Sequence, residues 1–218
     1  MNTSTPGGLA PYTETTMLRY AITSRALFPG NEAKKQAALL EQAARWIAAG
    51  VDFIQLREKD LPASALSILA AKLMKISILH SGHTSILINS RPDIAIAAGA
   101  HGVHLTSSPD SLTPSQVRTL YASTALPPPR ITISCHTLDD VRRAHHASVD
   151  AILFAPVFEK SLPTLTLPGH GLDHLRAACA AAAPTPVFAL GGVTPANTPA
   201  CLEAGASGIA GIRLFHDL

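Results

Sequence analysis

Eight short β-type runs alternating with Ala- and Leu-rich helical stretches predict an α/β chain built as a (β/α)8 TIM barrel. The alternation calls for parallel strands joined by crossover helices. The 218 residues, 47% hydrophobic and 15% charged, suffice for a single-domain core and sit near the lower size limit of that barrel. After the last run only Leu214–Leu218 remain, too few for an eighth helix, so the last helix is expected to be missing or shortened. Either the barrel is capped there by something else, such as the Leu9–Tyr12 stretch or a second subunit in a homodimer, or the chain is a shortened version of the fold.

The eight runs are Leu18–Thr23, Asp52–Leu56, Ser85–Ile88, Gly102–Leu105, Arg130–Ser134, Ala151–Phe154, Pro186–Leu190 and Ser207–Ile212. Residues 1–17 are expected to form a flexible amino-terminal tail, and 18–218 one domain. After the first run, Gly30-Asn31 starts a helix, Ala37, Leu40, Ala44 and Ile47 recur at helical spacing, and Gly50 ends it. Ala63–Leu79 repeats the pattern with Leu66, Leu69, Leu73 and Ile76 on one face. Pro92 suits the first position of the next helix, where no N–H is needed, and Gly99 its end. Thr137-Leu138-Asp139-Asp140 has the form of a capping box, and Thr194-Pro195 starts a further helix that Gly205 ends. Asn197 falls one turn inside that helix.

A formal charge of +2 with scattered Lys and Arg points away from nucleic acid and membrane surfaces as partners. No apolar run approaches a membrane span, and Met1–Thr16 lacks the charged-then-apolar order of a signal peptide. Cys135, Cys179 and Cys201 are odd in number and without metal spacing, as expected of reduced thiols in a cytoplasmic protein. No structural metal is expected, since His145-His146 fits no zinc spacing.

Candidate chemistry lies at the carboxyl ends of the runs, where barrels of this kind place their sites. Phe53-Ile54-Gln55-Leu56 breaks into Arg57-Glu58-Lys59-Asp60, four charges after a buried strand, read as a site or as a solvated loop. Asn89-Ser90-Arg91 follows the third run, where Asn89 offers an amide and Arg91 either a ligand contact or a salt bridge. His104 alternates with Val103 and Leu105 and belongs inside the barrel, as a site residue or as a buried structural histidine. Ser134-Cys135-His136 ends the fifth run; an imidazole there can shuttle a proton near neutral pH or be an ordinary loop residue, while Cys135 points away and packs. Lys160 follows the sixth run within reach of an anion, or is an exposed loop lysine. Gly191-Gly192 follows the seventh run and opens toward a helix, as a phosphate loop or a packing turn, with Gly211 and Arg213 near the end of the eighth completing an anion site.

With these pieces in order, the chain resembles the thiamine phosphate synthase family, which includes a thiazole tautomerase (TenI-type) branch. The resemblance runs from about Tyr20 to Ile212. It rests on QLREK at Gln55–Lys59, INSRPDIA at Ile88–Ala95, GVHL at Gly102–Leu105 and SCHTLDD at Ser134–Asp140. APVFEK at Ala155–Lys160, ALGGVTPAN at Ala189–Asn197 and AGASGIAG at Ala204–Gly211 complete it. It implies a barrel that binds a thiazole phosphate through Gly191-Gly192, with Gln55, Arg57, Lys59 and Asn89 lining a pyrimidine pyrophosphate side. Synthases of the family carry Asp where this chain has Ser90, and another where it has Pro109, with Asp110 one residue on. Those carboxylates hold Mg2+ in the family, so their replacement shifts the expectation to a metal-free tautomerase in which His136 moves the proton that aromatises a carboxythiazole phosphate. A further departure is Arg213-Leu214 in place of a small Ser-Gly pair. A synthase recruiting Asp93 or Asp110 to Mg2+, and a non-catalytic binder of thiazole or thiamine phosphate, are the alternatives.

Overall fold

A computed structural model describes residues 17–80, 83–162, 165–216 and 218; the side chains of residues 160–162 and 165–167, the candidate Lys160 among them, lie outside the described set. The elements run in the order β1 (Leu18–Ile22), a 3-10 turn (Arg25–Leu27), α1 (Glu32–Ala48), β2 (Phe53–Leu56), α2 (Ala63–Leu79), β3 (Ser85–Asn89) and α3 (Pro92–Ala98). They continue with β4 (Gly102–Thr106), α4 (Pro114–Ala122), β5 (Arg130–Cys135), α5 (Leu138–His146) and β6 (Ala151–Phe154). A hairpin of β7 (Lys160–Leu162) and β8 (Leu165–Leu167) follows, then α6 (Gly171–Ala182), β9 (Val187–Ala189), α7 (Thr198–Glu203) and β10 (Gly208–Gly211).

Eight strands close in the order β1-β10-β9-β6-β5-β4-β3-β2, every neighbouring pair parallel. This is the (β/α)8 barrel that the alternation predicts. Successive strand residues face opposite ways, and that period splits the core in two. Tyr20, Ile22, Phe53, Leu87, Leu153, Phe188 and Ala210 fill the barrel, with Tyr20 stacked on Phe53 at 5.4 Å between ring centres. Ala21, Ile54, Leu56, Ile86, Ile88, Val103 and Leu105 point outward into the helix layer. Cys135 shares that layer and is fully buried, as its outward register requires, and burial pushes its thiol up to about 12.

Local rules explain most helix ends. The Asn31 side chain accepts from the Lys34 N–H at the start of α1, and Thr137 and Asp140 form the expected box before α5. Pro92 opens α3 and Gly99 closes it in the left-handed region. Three expectations change. The buried stripe of α1 is Leu39, Gln42, Ala43, Trp46 and Ile47, rotated from the Ala37 and Leu40 face, because this helix packs on more than the sheet. The helix expected at Thr194-Pro195 begins at Thr198: Thr194 N–H donates to Asn197 Oδ1 at 2.8 Å, closing a turn before the helix, and Asn197 precedes the helix instead of lying inside it. The β7–β8 hairpin adds to the eight expected runs, each of its strands being only three residues long.

The eighth helix is replaced by a turn at Arg213–His216 that docks on α1. Trp46 Nε1 donates to the Phe215 carbonyl at 2.6 Å, Gln42 Nε2 donates to the His216 carbonyl at 2.7 Å, and Phe215 is buried. The Leu9–Tyr12 stretch lies outside the described residues. No helix among the described residues is long and apolar enough to cross a membrane.

Candidate active site

Inward register at the carboxyl ends of β2 to β5 brings polar side chains to the barrel mouth. Gln55 on β2 is almost fully buried, and its Nε2 donates to Asn89 Oδ1 at the end of β3, 2.7 Å away. Its Oε1 is buried without a hydrogen-bond partner among the described residues. Such a group costs about 1–3 kcal/mol unless something donates to it. Asn89 in turn points its amide at Ser90 Oγ, 3.4 Å away, and Ser90 takes a left-handed backbone at φ 54°.

The charged run after β2 divides by register. Glu58, on the same side of the strand as Ile54 and Leu56, is buried, while Arg57 is half-buried and Lys59 exposed. Thr23 Oγ1 donates to Glu58 Oε1 at 2.7 Å, and Arg57 N–H donates to Thr23 Oγ1 at 2.9 Å. Arg25, itself buried, donates to Glu58 at 3.0 Å, to both Asp60 oxygens at 2.7 Å and to Glu32 at 2.7 Å. The hydrogen bond to Asp60 raises the Arg25 pKa most; Arg25 in turn holds the Asp60 carboxyl below its usual range, and Gln36 first, then Arg25, do the same for Glu32. Arg25 and Thr23 escape sequence reading because neither belongs to the charged run, and only strand closure brings β1 beside β2. A cavity of about 370 Å3 opens beside this loop, lined by Leu56, Lys59, Leu66, Asn89, Ser90 and Arg91. Arg91 itself is paired with Asp93 through two hydrogen bonds, the salt-bridge alternative of the sequence reading.

His104 is 3% exposed inside the barrel, and both its ring nitrogens meet protein atoms: Nδ1 lies 2.9 Å from Thr132 Oγ1 and Nε2 lies 2.9 Å from Ser134 Oγ. Burial, with the Arg57 charge added, pushes its pKa down to about 3, so the ring is neutral. His136 stands beyond β5, exposed, with Nδ1 2.7 Å from the Ala155 carbonyl at the end of β6. A carbonyl only accepts, so Nδ1 carries a proton, and in the neutral ring the lone pair is on Nε2.

Gly191 and Gly192 both have positive φ, at 91° and 65°. An added Cβ would come within 2.8 Å of Pro156 at the first and 2.7 Å of the Glu159 carbonyl at the second, so close backbone packing against the loop after β6 demands glycine at both. The Gly191 carbonyl accepts from Phe158 N–H, and Asn197 Nδ2 donates to the Gly192 carbonyl. The helix α7 is short and starts only at Thr198, six residues past Gly192. Gly211 ends β10, two residues past the Ile209–Ala189 register pair that places it level with Gly191, and Arg213 is exposed just beyond. The mouth thus gathers Gln55, Arg57, Asn89, Ser134, His136 and the glycine loop at one end of the barrel. Lys59 and Ser90 flank it over the side cavity.

The profile of the family described as thiamine monophosphate synthase (TMP-TENI) matches residues 20–215. The chain is 37% identical to the thiamine-phosphate synthase of Albidiferax ferrireducens, covering 79% of this chain and 74% of that one. It is 32% identical to a thiamine-phosphate synthase of Thermus thermophilus, covering 83% and 82%. Among solved structures, the thiamine phosphate pyrophosphorylase from Pyrococcus furiosus superposes with a TM-score of 0.73 at 23% identity over 90% of this chain and 86% of that one, a likeness of fold. An inward polar mouth on a closed parallel barrel, with the family profile spanning nearly all of it, leads to one conclusion: the chain belongs to the thiamine monophosphate synthase family.

Proposed function

We propose that this enzyme joins a hydroxymethylpyrimidine diphosphate to a thiazole phosphate. The sequence alone puts the tautomerase first; relatives named thiamine-phosphate synthase favour the coupling reaction. The observation that carries it is Gln55 Oε1, a buried acceptor without a donor among the described residues. An aminopyrimidine supplies an N–H of the kind it lacks, and Asn89 beside it fixes the amide's orientation. Arg57 and Lys59 are the proposed contacts of the diphosphate, and Gly191, Gly192 and Gly211, with Arg213, are the proposed seat of the thiazole phosphate. In the coupling, the thiazole nitrogen forms a bond to the pyrimidine methylene carbon. The carbon–oxygen bond to diphosphate breaks, and its electron pair leaves with the diphosphate. Cations held in place before the reaction stabilise that developing charge without reorganising.

Mg2+ does not fit this donor set. Ser90 offers a hydroxyl and Pro109 no side-chain oxygen, Asp93 is committed to Arg91, and Asp110 is left as a lone carboxylate, with no metal-holding group of three such side chains among the described residues. Arg57 and Lys59 therefore carry the charge compensation in this proposal.

Thiazole tautomerisation is the second reading, favoured by His136, whose Nδ1–H bond to Ala155 leaves Nε2 free to take a proton and return it. Both readings are tested by supplying the two coupling substrates with Mg2+ and with chelator, and separately the carboxythiazole tautomer, and following both products. Coupling that persists in chelator and falls at least tenfold in kcat/KM for Gln55→Leu is the expected result. Aromatisation without coupling, lost about a hundredfold in His136→Asn with binding little changed, would install the second reading. Binding without either product leaves a thiazole phosphate carrier.

A further inference from the structure

Inside the barrel, Tyr20, Thr132 and His104 form a polar cluster in an otherwise apolar filling, and Ser134 links it to the mouth. Tyr20 and Thr132 are fully buried and His104 nearly so. Tyr20 Oη lies 2.9 Å from Thr132 Oγ1 and 3.3 Å from His104 Nδ1; His104 Nδ1 lies 2.9 Å from Thr132 Oγ1, and Nε2 lies 2.9 Å from Ser134 Oγ. Counting protons decides the direction of these bonds. If Nδ1 carried the ring proton, it would donate to one hydroxyl. The two hydroxyls, Tyr20 and Thr132, could then share only one bond between them, and one buried O–H would point at nothing, at a cost of about 1–3 kcal/mol. If Nε2 carries the proton, Nδ1 accepts. Tyr20 then donates to Thr132, Thr132 to Nδ1, and Nε2–H to Ser134, with no proton left over; the variant in which Tyr20 donates to Nδ1 is equally complete and ends on the same Nε2–H. Burial keeps the ring neutral and the phenol protonated, so neither end of the chain changes its proton count near neutral pH.

We propose that this one-way chain makes His104 a positioning residue whose Nε2–H fills the acceptor side of Ser134, so that the half-buried Ser134 hydroxyl can only aim its own proton out of the barrel, at an oxyanion of the ligand. His104 touches no ligand in this arrangement; it decides what Ser134 offers. The inference deepens the proposed reading and rests on it only for the identity of the oxyanion, a diphosphate oxygen.

The first test needs no ligand. Two-bond 1H–15N correlation spectra of histidine-labelled protein should show the His104 ring, assigned by its disappearance in His104→Gln, with Nε2 protonated and Nδ1 bare. Protonated Nδ1 would overturn the proposal. The second test uses inorganic pyrophosphate as the probe, titrated calorimetrically into the folded variants. Thr132→Val and His104→Leu, which break the chain, should weaken it about tenfold. Thr132→Ser and His104→Gln should keep wild-type affinity within about threefold, the latter because a glutamine amide can accept from Thr132 and donate to Ser134. A purely structural role would not divide the variants this way, and equal affinity across all four sinks the claim that Ser134 is aimed. Should Thr132→Val fail to fold, the pair at position 104 carries the comparison. Should the wild type bind no pyrophosphate, the coupling reading fails while the tautomer result still decides the chain's direction.

Discussion

In the proposed reading, the two sides of the barrel mouth would meet an anion in different ways. On the side of β2 and β3, an anion is to be met by the charged side chains of Arg57 and Lys59, and that loop is fastened from beneath by a buried Arg25–Glu58 pair. On the side of β9 and β10, the means is bare backbone, shaped by two consecutive glycines at positive φ packed against the loop after β6. A charged arm needs counter-charges to keep it in place, so its anchor is electrostatic and exposed to acid and salt. A glycine turn has nothing to titrate, and its anchor is steric. The difference teaches where each half is vulnerable.

The largest expected effect comes from breaking the electrostatic anchor. Arg25→Leu leaves Glu58 buried without its cation and should cost about 3 kcal/mol in urea unfolding, since removing one partner of a buried pair strands the other. Adding Glu58→Leu should restore more than half of that loss, and no recovery would mean the pair is not the anchor. Acid sharpens the same point. Asp60 and Glu32 have depressed pKa values, so the stability they supply is present above the usual carboxylate range and is lost as pH falls through their lower folded values. The difference between wild type and Arg25→Leu should therefore shrink below about pH 4.

On the steric side, Gly192→Val forces a branched side chain into φ 65° and into the Glu159 carbonyl. It should cost about 1–3 kcal/mol of stability and weaken thiazole phosphate binding at least tenfold, about 1.4 kcal/mol. Both losses should be the same in low and high salt, whereas binding lost through Arg57→Ala should shrink as salt rises. The last effect, spread over a range of pH, belongs to His104. Its folded pKa lies below the unfolded one, so the unfolded chain binds the extra proton, and stability falls as pH drops below 6.5. The slope is about 1.4 kcal/mol per pH unit, and it should be missing from His104→Gln between about pH 6 and 4.

Much of this was legible in the sequence. Strand period and turn residues located all eight barrel strands within two residues at either end, because parallel strands buried on both faces carry dense apolar runs. The hairpin of Lys160–Leu162 and Leu165–Leu167 was invisible since three-residue strands carry no period. Gln55, Asn89 and His136 could be placed at strand ends by counting. Tyr20 and Thr132 could not be tied to His104, because in a strand both residue types read as ordinary β formers. The partnership exists only after the chain closes, across separations of 84 and 28 residues. Thr194-Pro195 misled in the other direction: a proline that can open a helix can also sit in the turn before one, and Asn197 Oδ1 settles the choice by taking the Thr194 N–H.

The docking of Phe215 and His216 on α1 has a bearing on how the molecule comes into being. β1 pairs with β2 on one side and with β10 on the other, across nearly the whole length of the chain. On a ribosome, the first strand therefore waits with one edge unpaired until the seventh later barrel strand is made, and an open edge is an invitation to wrong partners. When β10 arrives, the carbonyls of Phe215 and His216 reach donors on Trp46 and Gln42 that have been waiting since the first helix formed. Closure of the barrel and satisfaction of a buried indole thus become one event, reached only when β10 has been made. Until then the newest strand has only β9 to lean on.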